Sequence, residues 1–285
     1  MEGESSRQTL EACTHTTKRT FAPQEPISAH SAVCTLREMG AIYDGIGTEY
    51  SGHRVPDVRW AQPIEAAIAT AQTIVNVGAG TGSYEPRERD VVAVEPSVVM
   101  LEQRPPGAAP AVRALAESLP FDDATFDVAL AVLTVHHWTD HDRGLAELRR
   151  VARRQVIVTW DPHAYADFWL VRDYLPEIHA RESHLATLDA IVDALDDPVV
   201  STLLVPADCT DGFGGAYWQR PAAYLDPNVR SSISGIALLD QAVVDAAMNR
   251  LDDDLASGRW HERNAALALL DAVDLGYRLV ASGPA

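Results

Sequence analysis

Between Thr73 and Trp160 the chain alternates short apolar runs with helix-like segments, and this alternation limits the fold more than any other feature. The runs are Thr73 to Val77, Val91 to Glu95, a weaker Ala111 to Ala114, Asp127 to Val135 and Gln155 to Trp160. Strands of a half-exposed antiparallel sheet alternate apolar and polar side chains, whereas strands covered on both faces stay apolar throughout. These runs are of the second kind. The clearest helix between them starts near Thr139, expected to cap it together with Asp142. It sets Leu145, Leu148, Val151 and Ala152 on one stripe, with a solvated Arg-rich face opposite. Strands alternating with helices imply βαβ units and right-handed crossovers. The expected fold class is therefore α/β, with a mostly parallel Rossmann-like sheet.

The flanks read differently. Residues 1 to about 26 are polar, with Pro23 and Pro26, and are expected to form an arm that is either disordered or partner-dependent. A helix is expected from Ser31 to Ile42, a turn from Tyr43 to Tyr50, and a helix from Pro63 to Ala71 with Pro63 in its first turn. After Asp161-Pro162 the spacing predicts a helix over Ala164 to Glu182, rich in bulky residues, and another over His184 to Leu195. A strand over Val199 to Val205 follows, then a loop rich in Gly and aromatics over Asp208 to Tyr224. An amphipathic helix from Asn228 to about Ser257 and a closing strand over Gly276 to Val280 complete the chain. Three regions result: an N-terminal arm and lid (1–62), a core (63–162), and remaining core strands with a helical cap (163–285).

Val75-Asn76-Val77-Gly78-Ala79-Gly80-Thr81-Gly82 ends the first strand. Glycines let the backbone turn sharply and approach a ligand that a Cβ would block. Glu95 ends the next strand, where a carboxylate can take both hydroxyls of a ribose. Strand, glycine turn, strand and acid together point to a cofactor containing adenosine. The dinucleotide fingerprint is Gly-x-Gly-x-x-Gly, with pyrophosphate at the start of a long helix. Here the glycines fall as Gly-x-Gly-x-Gly. Pro86 and the short interval to Val91 leave little room for a crossover helix. S-adenosyl-L-methionine (SAM) has no phosphate and does not need one.

Read together, Val75 to Gly82, Val94-Glu95-Pro96-Ser97, Ala116-Glu117-Ser118-Leu119-Pro120-Phe121, Phe126-Asp127-Val128 and Val135-His136-His137-Trp138 resemble the class I methyltransferases. The nearest likeness is to the UbiE-like, type 11 methyltransferase domains. The resemblance covers about Thr73 to Asp161. It implies a seven-stranded sheet with the last strand reversed, an N-terminal helical lid and a C-terminal cap. It implies SAM as cofactor and S-adenosyl-L-homocysteine as product. Gly78, Ala79, Gly80 and Gly82, with Asn76, would face the methionine part; Glu95 and Pro96 the ribose; Ala116 and Glu117 the adenine; and Leu133 would lie beneath. Tyr50 or Arg54, in a stretch like the family's lid, would touch the SAM carboxylate. The chain departs from the family pattern twice. Asn76 stands where an acid is usual, and Leu115 where Asp usually precedes the Ala-Glu pair.

Methyl transfer from a sulfonium chiefly requires alignment and exclusion of water, and a base where the acceptor must lose a proton. His136 and His137, after the fourth strand, are the candidate bases, since histidine titrates near neutrality. The alternative for each is a hydrogen-bonding wall residue. Consecutive residues at a strand end point oppositely, so only one of the pair is expected to face the acceptor. Trp138, Trp160, His163, Tyr217 and Trp218 are candidates for the acceptor pocket, the tryptophans alternatively for packing.

A formal net charge of −18 disfavours nucleic acid as a partner and leaves small neutral or cationic acceptors open. The cysteines Cys13, Cys34 and Cys209 have no disulfide or metal-ligand spacing, so no metal is expected. No signal peptide or membrane span is visible, which sets a cytoplasmic expectation with no membrane partner. The expected function is O- or N-methylation of a small molecule in secondary metabolism. The alternatives are C-methylation of a prenyl, alkene or aromatic substrate, helped by cation–π contacts, and a SAM-binding cyclase or regulator that does not methylate. A homo-oligomer would form through the N-terminal arm or the C-terminal helix.

Overall fold

The computed structural model describes residues 54–183, 185 and 188–283. The expected arm, the helix over 31–42 and the turn ending at Tyr50 lie outside the described residues. The first helix, α1 (Val58–Ile68), is capped by Asp57, whose side chain accepts from the Arg59 amide. Trp60, Ile64 and Ile68 recur at helical spacing and are all buried. The expected start at Pro63 is corrected by this: the Asp57 cap begins the helix earlier and leaves Pro63 inside it. A proline there forfeits one helical bond and costs roughly 3 kcal/mol. Burial of Trp60, whose indole N–H donates to the Leu204 carbonyl at 2.9 Å, offsets part of that cost.

Strands β1 (Thr73–Val77), β2 (Asp90–Val94), β3 (Ala111–Val112), β4 (Phe126–Val132), β5 (Ala152–Trp160), β6 (Val199–Thr202) and β9 (Tyr277–Ala281) form one sheet in the order β3-β2-β1-β4-β5-β9-β6. The first five pair in parallel, and β9 runs antiparallel to both β5 and β6. This is the seven-stranded sheet with its final strand reversed. A separate pair, β7 (Val205–Pro206) with β8 (Ala272–Val273), lies outside it. No helix intervenes between β1 and β2, as the short interval implied. The strands are apolar because each face carries its own core: Trp60, Ile74, Val128 and Val156 on one side, Val75, Ala129, Leu148 and Ile157 on the other.

After β2 comes the short helix α2 (Val98–Glu102), capped by Ser97. Helix α3 (His141–Val151) buries Leu145, Leu148 and Val151 as its periodicity required. Its cap is Asp140 rather than Thr139, because Glu117 has taken the Thr139 hydroxyl and amide. Ala152 already belongs to β5.

The long helices expected after Asp161 are broken. Ala164 to Glu182 divides into α4 (Pro162–Tyr165), a π turn (Leu170–Tyr174) and α5 (Pro176–Glu182), since Pro176 can only begin a helix. The next helix is shorter than expected, α6 (Leu188–Ala194), and Val199 to Val205 belongs to two sheets. Asn228 to Ser257 separates into α7 (Pro227–Ser231), α8 (Ser234–Ala237) and α9 (Gln241–Ala256), followed by α10 (Arg259–Arg263). The apolar stripe of α9, Val244, Ala247, Met248 and Leu251, is buried within the chain. No helix among the described residues is long and apolar enough to cross a membrane.

Candidate active site

Parallel strands end together, so β1, β2 and β4 deliver their following residues to one edge. Gly78 and Gly80 there adopt φ of +68° and +52°. A Cβ on Gly78 would stand 1.9 Å from the Thr134 hydroxyl, so this glycine is needed for contact between loops. A Cβ on Gly80 would meet nothing within 4 Å, so that glycine borders open space. The Glu95 carboxylate ties the loop to β2, accepting from the Gly80 amide at 2.8 Å and the Ser97 amide at 2.9 Å. Asn76 donates to Glu85 at 3.2 Å, and Glu85 forms a buried ion pair with Arg104 at 2.8 Å. An acid does lie beside position 76, in the turn after β1, but it is spent on an arginine and does not border the cleft at this edge.

This edge lines a cleft of about 980 Å³, open solvent at its mouth included. Asn76, Gly78, Ala79, Gly80, Glu95, Pro96, Ala116, Glu117, Leu133 and Arg54 all border it. Gly82 does not; it packs toward Glu85 and Arg104. Tyr50 lies outside the described residues. Trp138 borders this cleft, its ring filling the space that a Cβ on Gly144 would need. Glu117 uses one oxygen to accept from Thr139 and Asp140, while its buried Oε2 has no partner.

A second cleft, about 610 Å³, adjoins the first and shares Arg54, Leu133 and His137 with it. Its walls are mainly apolar and aromatic: Trp160, Tyr165, Leu170, Ile178, Phe213 and Tyr277. His136 and His137 sit in a 3-10 turn (Val135–His137), not on a strand end. Their rings therefore lie together, centroids 3.6 Å apart, and both border this cleft, where opposite directions were expected. Burial and the Arg54 charge push His137 down to about 3. Burial, then His137, holds His136 well below the ordinary histidine range. Both rings are neutral at physiological pH.

Arg54 is fixed by Asp211, donating from Nε at 2.5 Å, and Asp211 also accepts from the Tyr84 hydroxyl at 2.9 Å. Asp211, Tyr84 and Thr134 escaped the sequence reading; only the proximity of Asp211 to a glycine-rich loop hinted at the first. Three expected acceptor residues lie apart from both clefts. His163 is exposed on α4. Trp218 is buried and donates to the Val205 and Pro206 carbonyls. Tyr217 packs edge-on against Tyr224. Their loop instead contributes Phe213 and Gly214. Among the described residues no group of three metal-ligating side chains gathers. Burial pushes the Cys209 thiol up to about 12, leaving it unreactive.

Residues 75–159 match the profile of the methyltransferase domain family. The chain is 30% identical to a putative methyltransferase from an antibiotic biosynthesis pathway of Anabaena variabilis, covering 81% of this chain and 99% of that one, with a TM-score of 0.76. The chain belongs to the class I SAM-dependent methyltransferases. A search of curated proteins returned no match. Haemonchus contortus phosphoethanolamine N-methyltransferase 2, solved with SAM, shares 15% identity over 85% of this chain and 56% of that one, at a TM-score of 0.51, which speaks for the fold alone. The cofactor of this methyltransferase is SAM, and the first cleft fits it. The space above Gly80 is open to a ligand that a side chain would obstruct, and the spare oxygen of Glu117 suits a donor such as an adenine amine.

Proposed function

We propose that this enzyme transfers the methyl group of SAM to an oxygen or nitrogen of a small molecule of secondary metabolism, held in the second cleft. The observation that carries this reading is the contact between the two clefts. One has the glycine loop and Glu95, the other aromatic walls, and Arg54, Leu133 and His137 form their common border. The Anabaena relative, whose name places it in antibiotic biosynthesis, supports secondary metabolism as the setting.

In this reading Gly78, Ala79, Gly80 and Asn76 hold the methionine part, Glu95 and Pro96 the ribose, and Ala116 with Glu117 the adenine. Bound SAM supplies an already activated methyl group. What the chain adds is placement and dryness. Leu133 and the aromatic wall exclude water at the border. Arg54 carries the charge that a carboxylate of the cofactor needs, and Asp211 holds it there. His137, too weakly basic to keep a proton, accepts a hydrogen bond from the acceptor's O–H or N–H and so turns its lone pair toward the first cleft. His136 supports it through ring contact. Trp160, Tyr165, Phe213 and Tyr277 also suit a developing carbocation, which keeps C-methylation as the second reading.

Calorimetry with SAM and transfer of label from methyl-labelled SAM to a panel of phenols, amines and prenyl compounds test the reading. Glu95→Ala removes the acceptor for two loop amides, worth about 1.5–3 kcal/mol for a charged partner. SAM affinity is expected to fall roughly 10- to 100-fold. Unaltered affinity in that variant refutes the role of Glu95, and absence of SAM binding by the wild type refutes the whole assignment.

A further inference from the structure

Polar groups inside a protein find partners, because an unmade hydrogen bond forfeits hydration without return. The second cleft departs from that rule at Glu182. This residue ends α5, one turn after buried Ile178, in a position that a leucine would fill without penalty. It is 9% exposed, and its carboxylate makes no hydrogen bond or ion pair with any described residue. Nearby cations give their hydrogen bonds to other partners, although the Arg181 charge still acts on the carboxyl. Arg181 donates to the Leu238 carbonyl at 2.7 Å, and Arg54 is paired with Asp211. Gly235 makes room for the carboxyl: a Cβ there would come within 2.8 Å of Glu182 Oε1.

The same cleft holds two buried polar atoms without partners, Trp160 Nε1 and His136 Nδ1. Aromatic rings of Trp160, Tyr165, Phe213 and Tyr277 make up much of the remaining wall. Such a cavity describes its guest. A carboxylate out of water demands a positive partner, and aromatic faces favour the same charge. A neutral guest would leave the carboxylate without a direct partner, with only the charge of Arg181 acting on it from a distance. Burial pushes the Glu182 carboxyl up to about 7, so a docked cation and ionisation of the acid favour one another. The net charge of −18 draws cations toward the molecule.

We propose that Glu182 docks the methyl acceptor by pairing its carboxylate with a protonated amine of that acceptor inside the aromatic cleft. The inference rests on the reading that this cleft holds the acceptor. The docked ammonium keeps its proton and serves as a handle. The atom that receives the methyl group is a different oxygen or nitrogen, presented at the border formed by Arg54, Leu133 and His137.

The test uses the full chain saturated with S-adenosylhomocysteine at pH 8. Phenethylamine, tyramine and tryptamine are titrated by calorimetry against their neutral counterparts 2-phenylethanol, tyrosol and tryptophol. At least one amine is expected to bind tenfold or more tightly than its alcohol. Glu182→Gln is expected to abolish that preference while leaving S-adenosylhomocysteine affinity within twofold. Equal binding of amine and alcohol, no binding of any amine at millimolar concentration, or an undiminished preference in the Gln variant overturns the proposal. Should that variant not fold, the wild-type comparison of amine with alcohol still decides. Failure to bind S-adenosylhomocysteine at all removes the methyltransferase site reading as well, so the two failures are told apart.

Discussion

Glu182→Gln has a consequence that requires no ligand. The carboxyl titrates at about 7 in the folded chain, against an ordinary 4.5. Below pH 4.5 it is protonated whether folded or not and contributes nothing to the pH dependence. As pH rises from 4.5 to 7 the unfolded chain releases the proton first, so folding is penalised progressively. Above 7 the penalty is constant at about 3 kcal/mol, taking 1.36 kcal/mol for each pH unit of difference. The Gln variant keeps the shape and lacks the proton. Its stability relative to wild type should therefore increase with pH, by about 2.5 kcal/mol between pH 5 and pH 8. For a chain of this size that corresponds to roughly 5–10 °C in melting temperature. The buried neutral histidines act in the opposite direction, because the unfolded chain takes up protons below pH 6.5 that His136 and His137 resist. Both proteins share that effect, and it cancels in the difference. Urea titrations across the pH range supply the measurement. A wild-type-to-variant gap that stays flat from pH 5 to pH 8 refutes the reasoning, since it means the Glu182 carboxyl is as well solvated folded as unfolded.

Two glycines two residues apart should behave differently. Gly78→Ala forces a Cβ against the Thr134 side chain at positive φ, and about 3 kcal/mol of stability should be lost in urea unfolding. Gly80→Ala meets no atom and should cost only about 1 kcal/mol for its backbone conformation, yet weaken SAM binding in calorimetry at least tenfold. His137→Gln should lower kcat more than SAM affinity, and the shape of the kcat–pH profile between pH 5 and pH 8 should be the same in variant and wild type, since this ring stays neutral; loss of an inflection in the variant would contradict the low proton affinity assigned to it. Asp211→Asn strands Arg54 and Tyr84 in a buried setting, and a loss of about 3–5 kcal/mol is expected on thermal unfolding.

The cofactor half was legible because its signals are local. A parallel strand buried on both faces is an unbroken apolar run, and a glycine loop followed by an acid is spelled out in consecutive residues. The acceptor half was not. The helix break at Pro176 was visible as a proline, but apolar spacing on either side read straight through it, and the breaks after Ser231 and Ala237 carry no proline to mark them. Trp218 and Tyr217 looked like pocket residues from composition alone, whereas their contacts with Pro206 and Tyr224 depend on how this loop folds back on its own neighbours. Glu182 did leave a trace. It stands four residues after Ile178, on the stripe that should have been apolar throughout. A charge in that register was the one local sign that the cavity beyond was built for something other than packing.

Trp160, the last residue of β5, is paired with Tyr277, the first of β9, and the Asp161 amide donates to the Gly276 carbonyl at 2.9 Å. The chain between them starts and ends at one narrow neck and returns to the sheet only as its edge strand β6. Everything bordering the first cleft comes from residues 54–138, before that neck. Most of the second cleft, from Tyr165 through Ile236, belongs to the excursion it closes off. The acceptor walls are consequently encoded largely apart from the cofactor loop, with Asp211, which holds Arg54 and Tyr84, as the link between the two. Insertions, deletions or exchanges between Asp161 and Gly276 that keep β6 and Asp211 can rewrite which molecule is methylated while the strands that receive the methyl donor keep their places. A lineage built on this plan can acquire new acceptors by remodelling one loop-out, and grafting that segment between relatives at the Trp160–Tyr277 neck offers a direct route to exchanging their specificities.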